Sequence, residues 1–239
     1  MAHDVRCSVA MASYNGELYI AEQIESVLKN IGKKDELIIS DDGSSDKTRE
    51  IIQTYMAKDS RIQLIDGPRR GVVKNFENAL KHTTGEVVFL CDQDDVWTDN
   101  KVQKVLDAMN SGVTLVLHDA EVFQGEEVVY PSFMQHRGSR RGVFQNILKN
   151  SYIGCCMAIK RELLEYAIPF PQKICMHDQW IGLISEIYGK SCFIDDRLLR
   201  YRRHGKNASS MTGQKTSKKI QDRVFLVLSL LELRFKRKR

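Results

Sequence analysis

The hydrophobic positions alternate between short continuous runs and longer stretches with helical spacing. Short runs at residues 7–11, 37–40 and 62–65 predict three strands. Each run is followed by apolar residues three or four positions apart, which predicts three helices. The first carries Ile20, Ile24, Val27, Leu28 and Ile31, and the second carries Ile51, Ile52, Tyr55 and Met56, with Asp46 placed to cap it. The third carries Phe76, Ala79 and Leu80 and ends near Gly85. Because strands and helices alternate, we predict an α/β fold with a mostly parallel sheet flanked by helices on both faces.

The pattern continues through the middle of the chain. A fourth apolar run at residues 87–91 predicts another buried strand, and Asp99 is placed to cap a helix that carries Val102, Val105, Leu106 and Met109. A further strand is predicted at residues 113–117. These elements extend the same alternation to about residue 120.

The second half is less regular. Residues 125–141 read as a polar, basic loop, and residues 152–159, 191–194 and 198–201 predict strands. Helical spacing is found in two places: Phe144, Ile147 and Leu148; and Trp180, Ile184 and Ile187 in a helix beginning near His177. A mixed half of this kind is where a second substrate site would be built.

The C-terminal stretch predicts an amphipathic helix with a basic end. Its apolar face carries Ile220, Val224, Val227, Leu228, Leu231 and Phe235, and its basic cluster comprises Arg234, Lys236, Arg237, Lys238 and Arg239. Such a stretch suits an anionic membrane surface. A core-packing or dimer helix with a basic end fits the pattern equally well.

Composition narrows the choice of protein class. The chain has 239 residues, is 42% hydrophobic and 28% charged, and carries a net charge of +5, which suits a soluble protein with a real core. Nine Lys or Arg against two acids lie in residues 215–239, so the remainder is near neutral and a general nucleic-acid surface is disfavoured. The six cysteines show no metal-ligand spacing, and the first six residues are polar. The longest apolar run, at residues 224–231, has eight residues, one of which is Ser229. We therefore expect reduced cytoplasmic thiols, no signal peptide and no spanning helix.

Carboxylates cluster at two predicted strand ends. Asp92, Asp94 and Asp95 follow the fourth strand, and Asp41 and Asp42 follow the second. Ligands of open α/β sheets bind at the carboxyl ends of the strands, and hard divalent cations prefer such oxygen ligands and often hold phosphates. A solvated acidic turn is the alternative for either cluster alone. Together they predict one metal and nucleotide site.

Two common nucleotide-binding motifs are missing from the sequence. There is no Gly-x-Gly-x-x-Gly after a strand and no phosphate-loop lysine motif, which disfavours a dinucleotide oxidoreductase and a phosphate-loop enzyme. Phosphate would then be held by metal and cationic side chains.

Five segments in order resemble a known family. They are Ser-Val-Ala-Met-Ala-Ser-Tyr-Asn-Gly at 8–16, Ile-Ser-Asp-Asp-Gly-Ser-Ser-Asp at 39–46, Cys-Asp-Gln-Asp-Asp-Val-Trp at 91–97, His-Asp-Gln-Trp at 177–180 and Tyr-Arg-Arg-His-Gly-Lys-Asn at 201–207. The chain thereby resembles family 2 glycosyltransferases, which have the Rossmann-like GT-A fold. The last segment is similar to one found in bacterial rhamnosyltransferase-like members. The resemblance spans about residues 7–210.

The resemblance implies roles for individual residues. Asp178 would be the catalytic general base, although an Asp near a helix start can also serve as a cap. Asp94 would ligate Mn²⁺ or Mg²⁺, with His204 as a further metal ligand or phosphate contact, or else a solvated loop histidine. The nucleotide-sugar would be bound by Ser13, Asn15, Asp41, Asp42, Asp92, Lys74 and Arg202. Within this set Asp41 would accept the pyrimidine imide N–H, and Asp92 would lie near the ribose. Lys74, Arg202 and Arg203 would neutralise phosphate, or be ordinary surface charges.

The resemblance also implies an organisation and an activity. Residues 1–212 would form a GT-A domain, with a nucleotide-sugar half at about 1–120 and an acceptor half at about 121–212, and residues 213–239 would form the amphipathic basic helix. The expected activity is metal-dependent, inverting transfer of one sugar from a UDP- or dTDP-sugar, such as dTDP-rhamnose, to a saccharide acceptor. A lipid-linked acceptor at the inner face of the cell membrane, in surface polysaccharide synthesis, is expected.

Two departures and two alternatives accompany this interpretation. The Gln-x-x-Arg-Trp segment of processive members is missing from the sequence, which disfavours polysaccharide extrusion. The C-terminus is short for the rhamnosyltransferase-like group, which suggests a truncated chain. A nucleotidyltransferase would also use metal and acidic strand ends, and a non-catalytic module could bind sugar nucleotides or glycans without turnover.

Overall fold

The structure is a computed structural model that describes residues 5–109, 112–205, 207 and 216–236. The strands of the sheet are β1 Cys7–Ser13, β2 Glu36–Asp41, β3 Ile62–Asp66, β4 Val87–Asp92, β5 Val96–Trp97, β6 Leu115–Gln124, β7 Glu127–Tyr130, β8 Met157–Lys160 and β9 Ser191–Arg202. The helices are α1 Ile20–Asn30, α2 Thr48–Met56, α3 Val72–His82, α4 Lys101–Ala108, α5 Phe133–Arg137, α6 Val143–Leu148, α7 Leu164–Ala167, α8 His177–Tyr188 and α9 Thr216–Lys236. Short 3₁₀ turns lie at Gly154–Cys156 and Arg161–Leu163.

One nine-stranded sheet organises the molecule, in the order β3-β2-β1-β4-β8-β6-β9-β5, with β7 added beside β6. Strands β1 to β4 are parallel, β8 runs antiparallel to both β4 and β6, and β6 and β9 are parallel. The predicted α/β class is confirmed, with a parallel first half and a mixed second half.

The register of the parallel strands brings their acidic ends together. Ser13 on β1 is paired with Asp41 on β2, and Ala12 on β1 is paired with Asp92 on β4. Two acidic clusters about fifty positions apart in sequence therefore lie at the same edge of the sheet.

The core lies between this sheet and the helices. Every residue of β1 and β2 is buried, as expected for central parallel strands covered on both faces. Helix α1 buries Ile20, Ile24 and Val27 completely, which confirms the helical spacing predicted for that segment. Burying such side chains stabilises the fold by roughly 1.5–3 kcal/mol each.

Two predicted strand assignments were wrong in extent. Only Met157–Lys160 of residues 152–159 is a strand, because a 3₁₀ turn occupies Gly154–Cys156. The two short strands predicted at 191–194 and 198–201 are a single strand, β9, whose pairing with β6 shifts register after His118. The shift in register leaves Asp195 and Asp196 without partners on β6, so the polar residues between the two predicted runs are accommodated within one strand.

The predicted loop at residues 125–141 contains ordered structure. It holds β7 and the short helix α5, which begins after Ser132, whose hydroxyl accepts the Gln135 N–H. Asp119 on β6 accepts from the Ser132 hydroxyl at 2.5 Å and from the Met134 N–H at 2.8 Å. These long-range contacts, which local polarity does not reveal, give the segment its helix.

Helix α4 does not start as predicted. Its N-cap residue is Asn100, in the left-handed conformation at φ 64°, and no side-chain cap is made, so the Asp99 cap was wrong. The first helical N–H, that of Lys101, instead donates to Asn30 Oδ1 at 2.9 Å. The partner comes from α1.

Helix α9 is present, but most of its predicted apolar face points away from the core. Leu226 is buried and Leu230 and Leu233 pack partly against the core. The exposed members of the predicted face are Ile220 at 55%, Val224 at 50%, Leu228 at 54%, Leu231 at 47% and Phe235 at 70%. The predicted basic residues Arg237, Lys238 and Arg239 lie outside the described residues. Across the described part of the chain, no helix combines the length and apolarity needed to span a bilayer.

Candidate active site

The loops after β1 and β2 are tied together at the acidic edge of the sheet. Asn15 adopts the left-handed conformation at φ 48°, its N–H donates to Ser44 Oγ at 2.9 Å and its Oδ1 accepts the Ser45 N–H at 2.9 Å. The loop after β4 joins them, because the Gln93 amide both accepts from the Tyr14 N–H and donates to the Tyr14 carbonyl, each at 2.9 Å. Three strand ends thus form one continuous rim.

Asp41 is buried beneath this rim. Its Oδ2 accepts from the Ser13 hydroxyl at 3.0 Å and the Ser44 hydroxyl at 2.6 Å, and its Oδ1 accepts from the Ser44 N–H at 3.0 Å and Arg49 at 3.2 Å. Burial alone would raise the pKa of Asp41, but these hydrogen bonds outweigh it and hold the pKa below its ordinary value. A pyrimidine imide at Asp41 would have to share or replace one of these donors.

Asp42 connects the end of β2 to the start of α3. Its Oδ2 accepts the Gly71 N–H at 2.7 Å and its Oδ1 accepts the Arg70 N–H at 3.3 Å. Gly71 has a φ of 83°, a conformation that favours glycine. Both carboxylates after β2 therefore also hold neighbouring loops in place.

A second group of acids lies at the end of β4. Ligand atoms of Asp92, Asp95 and Cys155 all lie within 4.8 Å of one another. Asp95 is fully buried, and its Oδ2 has no hydrogen-bond partner among the described residues. The pKa values of both Asp92 and Asp95 are raised, mainly by burial and further by the neighbouring carboxylates. Such a group gains from a nearby positive charge.

Lys101 supplies one such charge, and the sequence analysis missed it. It is fully buried, its Nζ donates to the Cys155 carbonyl at 3.0 Å, and it lies 4.1 Å from the centroid of the Trp97 ring. Burial lowers the pKa of Lys101, and its interactions with neighbouring cysteines and with Asp95 oppose that change. The sequence offered one indication of this burial: Lys101 lies one turn before Val105, on the apolar face of α4.

The two predicted metal ligands contact each other. Asp94 Oδ2 and His204 Nε2 are 2.8 Å apart, and each side chain is 14% exposed. The His204 ring stacks on Tyr19 with centroids 4.8 Å apart, and the His204 N–H donates to Asn207 Oδ1 at 2.7 Å. The segment that follows β9 therefore brings the His204 imidazole onto the turn after β4.

Arg202 holds that arrangement together. Its backbone N–H donates to Asp95 Oδ1 at 2.9 Å, its Nε donates to the Asp94 carbonyl at 2.8 Å, and its Nη2 donates to Glu22 at 2.6 Å. The guanidinium also lies over the rings of Tyr19 and Phe123 at 4.9 and 4.6 Å. Arg202 thus positions the acidic turn, and its contact with donor phosphate stays a prediction.

Asp178, in the first turn of α8, is 6% exposed. Its Oδ1 accepts from the Asn150 amide at 3.1 Å and from the Gln179 N–H at 2.5 Å. Burial raises the pKa of Asp178 to about 6. Its charge in turn raises the pKa of Asp92, so the second half of the chain brings a carboxylate close to the acids of the first half. The N-cap residue of α8 is Met176, not Asp178.

The remaining predicted cations lie in other contacts. Lys74 Nζ donates to Glu77 at 2.6 Å and to the Phe170 carbonyl at 3.1 Å, so the structure does not bring it into the acid group. Arg203 lies over the Tyr201 ring at 5.3 Å. Their contacts with phosphate stay predictions.

The donor set at this edge suits a hard or borderline divalent cation. Asp92, Asp94 and Asp95 offer carboxylate oxygens, Asp95 Oδ2 is buried without a partner among the described residues, and His204 offers an imidazole nitrogen. Carboxylates suit Mg²⁺ and Mn²⁺, whereas imidazole suits later transition metals such as Zn²⁺. The residues present therefore fit the predicted metal.

Comparison with protein families and relatives agrees with this geometry. The model of the family described as Glycosyl transferase family 2 matches residues 8–167. Two relatives are the UDP-Glc:alpha-D-GlcNAc-diphosphoundecaprenol beta-1,3-glucosyltransferase WfgD of Escherichia coli, 31% identical over 77% of this chain and 71% of the relative, and the dTDP-rhamnosyl transferase RfbG of Shigella flexneri, 28% identical over 82% and 72%.

Solved structures share the fold. S. aureus TarS 1–349 in complex with UDP-GlcNAc superposes with a TM-score of 0.75 at 20% identity, over 95% of this chain and 66% of TarS 1–349. The mannosyltransferase PcManGT of Pyrobaculum calidifontis, solved with GDP-Man and Mn²⁺, gives 0.65 at 20% identity over 85% and 59%. The chain thus spans less than two thirds of these structures. The predicted GT-A fold is confirmed.

Proposed function

The chain belongs to glycosyl transferase family 2, and from that premise we propose that it transfers one sugar from a UDP- or dTDP-sugar to a saccharide acceptor with inversion. The observation that carries the proposal is the contact between Asp94 and His204 beside Asp92 and Asp95, with Asp178 close enough for its charge to act on Asp92. These contacts support a donor site at the acidic edge of the sheet with Asp178 of α8 as the candidate base.

We propose that the first 120 residues form the donor half. Ser13, Asn15, Asp41 and Asp42 lie on the rim formed by the β1 and β2 loops, where a nucleotide binds at the carboxyl ends of parallel strands. A carboxylate accepts the imide N–H of uracil or thymine, which supports a pyrimidine nucleotide.

Asp94 and His204 would hold Mn²⁺ or Mg²⁺, together with the neighbouring Asp92. A bound divalent cation would offset the negative charge of the donor diphosphate. The protein itself fixes the position of these ligands. Arg202 donates to the backbone carbonyl of Asp94, and Tyr19 stacks on the His204 ring.

Asp178 is the proposed general base. It takes the proton from the acceptor hydroxyl as that oxygen forms a bond to the anomeric carbon, and the bond to the nucleoside diphosphate breaks on the opposite face. Direct displacement inverts the anomeric centre and needs no covalent enzyme intermediate. A pKa of about 6 leaves Asp178 mainly ionised at neutral pH while keeping it a better proton acceptor than an ordinary Asp.

The acceptor half is proposed to be residues 121–212, which include Asp178 and its partner Asn150. A lipid-linked saccharide in bacterial surface polysaccharide synthesis is the proposed acceptor, supported by the relative named for a diphosphoundecaprenol acceptor and by the amphipathic helix α9. The exposed apolar residues of α9 support a peripheral position at the inner face of the membrane.

A panel of UDP-, dTDP- and GDP-sugars, incubated with the protein and Mn²⁺, tests the proposal. We expect slow release of UDP or dTDP from one or two donors, faster with a lipid-linked acceptor fraction. Release of pyrophosphate would indicate a nucleotidyltransferase instead. Donor binding without any release, with acceptor present, would indicate a non-catalytic binding module.

A further inference from the structure

Helix α6 presents apolar side chains to solvent beside the acceptor half. Phe144 is 74% exposed and Leu148, one turn further along the same side of the helix, is 47% exposed. The inward positions of the same helix, Val143 and Ile147, pack against the core. Neither Phe144 nor Leu148 is among the described side chains that form the hydrophobic core or pack against it.

Helix α9 lies against the end of α6. The Arg223 guanidinium donates to the Leu148 carbonyl, which brings the N-terminal half of α9 to the end of α6. The exposed apolar side chains of α9 continue from there. We call the exposed apolar side chains of the two helices the α6–α9 face: Phe144, Leu148, Ile220, Val224, Leu228, Leu231 and Phe235. Exposed apolar side chains grouped on two helices that contact each other favour an interaction site.

The surroundings of the α6–α9 face are basic. Between Glu127 and Glu162 the sequence has no Asp or Glu, and Arg140, Arg141 and Lys149 there are exposed. Residues 216–236 contain five Lys or Arg and two acids. An apolar stripe bordered by cations complements a bilayer with anionic headgroups, where each basic residue near the surface adds attraction.

We propose that the α6–α9 face docks the protein on an anionic membrane surface. A second copy of the chain fits less well, because two such faces would bring their basic borders together. The heptad-like spacing of α9, Ile220, Val224, Val227 and Leu231, also covers fewer turns than the three to four heptads of a coiled coil.

The position of α6 relates this surface to the proposed base. Asn150, two residues past the end of α6, donates to Asp178 at 3.1 Å, and Gln179 Nε2 donates to the Asn146 carbonyl within α6 at 2.7 Å. Docking through α6 therefore places the bilayer next to the acceptor side of the site. This relation rests on the proposed lipid-linked acceptor.

Vesicle co-sedimentation tests the face without turnover. The double variant Phe144→Ser/Leu148→Ser should bind vesicles of phosphatidylglycerol and phosphatidylcholine roughly tenfold or more weakly than the wild type, because it lacks two apolar side chains that docking would bury in the bilayer. The matched control is Val128→Ser/Val129→Ser, which removes exposed apolar residues of β7 and should bind as the wild type does. Lys218→Glu/Lys219→Glu should weaken binding to anionic vesicles by at least tenfold.

The outcomes separate docking from catalysis. Donor hydrolysis by the Phe144→Ser/Leu148→Ser variant should equal that of the wild type, which also shows that the variant is folded. Unchanged vesicle binding by Phe144→Ser/Leu148→Ser and by Lys218→Glu/Lys219→Glu would overturn the inference, as would equal binding of the wild type to neutral and anionic vesicles. Light scattering that shows a wild-type dimer, lost in Phe144→Ser/Leu148→Ser, would assign the face to a second copy.

Discussion

His204 and Asp94, 110 positions apart in the chain, place Nε2 and Oδ2 2.8 Å from each other. The contact joins the end of β9 to the turn after β4, and so ties the second half of the fold to the acidic edge formed by the first. An imidazole and a carboxylate at this distance can hold one proton or one cation between them. The pair is therefore the point at which metal and donor binding should be most sensitive to substitution.

Metal affinity tests this pair. Asp94→Ala and His204→Ala should each weaken Mn²⁺ binding at least tenfold in calorimetry with donor present, because each removes a ligand, and EDTA should abolish transfer until Mn²⁺ or Mg²⁺ is restored. Asp195→Asn, which changes an exposed carboxylate of β9, is the control and should bind Mn²⁺ normally. Full activity in EDTA would contradict the assignment.

Lys101 should matter for stability. Lys101→Met removes a fully buried cation that interacts with Asp95, and leaving a buried charge unpaired should lower the free energy of unfolding by about 3 kcal/mol. Lys104→Met is matched to it, because Lys104 lies on the same helix but pairs with Asp196 at the surface, where a loss below about 1 kcal/mol is expected. Equal losses in urea unfolding would show that Lys101 is not a counter-charge.

Nucleotide selectivity should depend on Asp41. The wild type should bind UDP or dTDP more tightly than GDP, and Asp41→Ala should reduce that preference in calorimetry. Because Asp41 also holds Ser13, Ser44 and Arg49, Ser44→Ala is the control for a loosened loop and should weaken all three nucleotides alike. Equal affinity of the wild type for the three nucleotides would reject the role of Asp41.

The buried carboxyl of Asp178 should set a pH dependence. With a pKa raised to about 6 by burial, the base is protonated in acid, so kcat/KM should fall as pH drops through about 6. The same raised pKa favours the protonated folded state, so its stabilising effect is present below about pH 4 and is lost as pH rises through 6. Asp178→Asn should therefore raise the free energy of unfolding at pH 7.5 by about 1–3 kcal/mol. An unfolding free energy unchanged by the substitution would argue against a buried, costly carboxylate.

Sequence periodicity predicted the parallel half of the fold because each element there is buried or amphipathic along its own length. The acidic strand ends followed from the same pattern, since parallel strands must end at a common edge. The structure confirms this expectation, because Ser13 is paired with Asp41 and Ala12 with Asp92, so both acidic clusters lie at one edge.

The parts that sequence did not predict depend on contacts between distant residues. Helix α5 forms where Asp119 reaches across from β6, and α4 starts where Asn30 of α1 accepts its first N–H. The burial of Lys101 depends on Cys155 and Trp97, which no local pattern relates to it. The exposure of the apolar face of α9 likewise depends on how the helix packs, because among its described residues only Leu226, Leu230 and Leu233 are turned to the core.

The measurement that tests the central claim most directly is the turnover of Asp178→Asn beside its donor affinity. A general base contributes about 10²–10⁴-fold in rate, and Asn keeps the shape and the hydrogen-bonding ability of Asp while being unable to take a proton. We predict that Asp178→Asn loses sugar transfer by about that factor, while binding UDP or dTDP and Mn²⁺ as the wild type does. Near-normal transfer by the folded variant would contradict the account, because it would remove Asp178 from the mechanism.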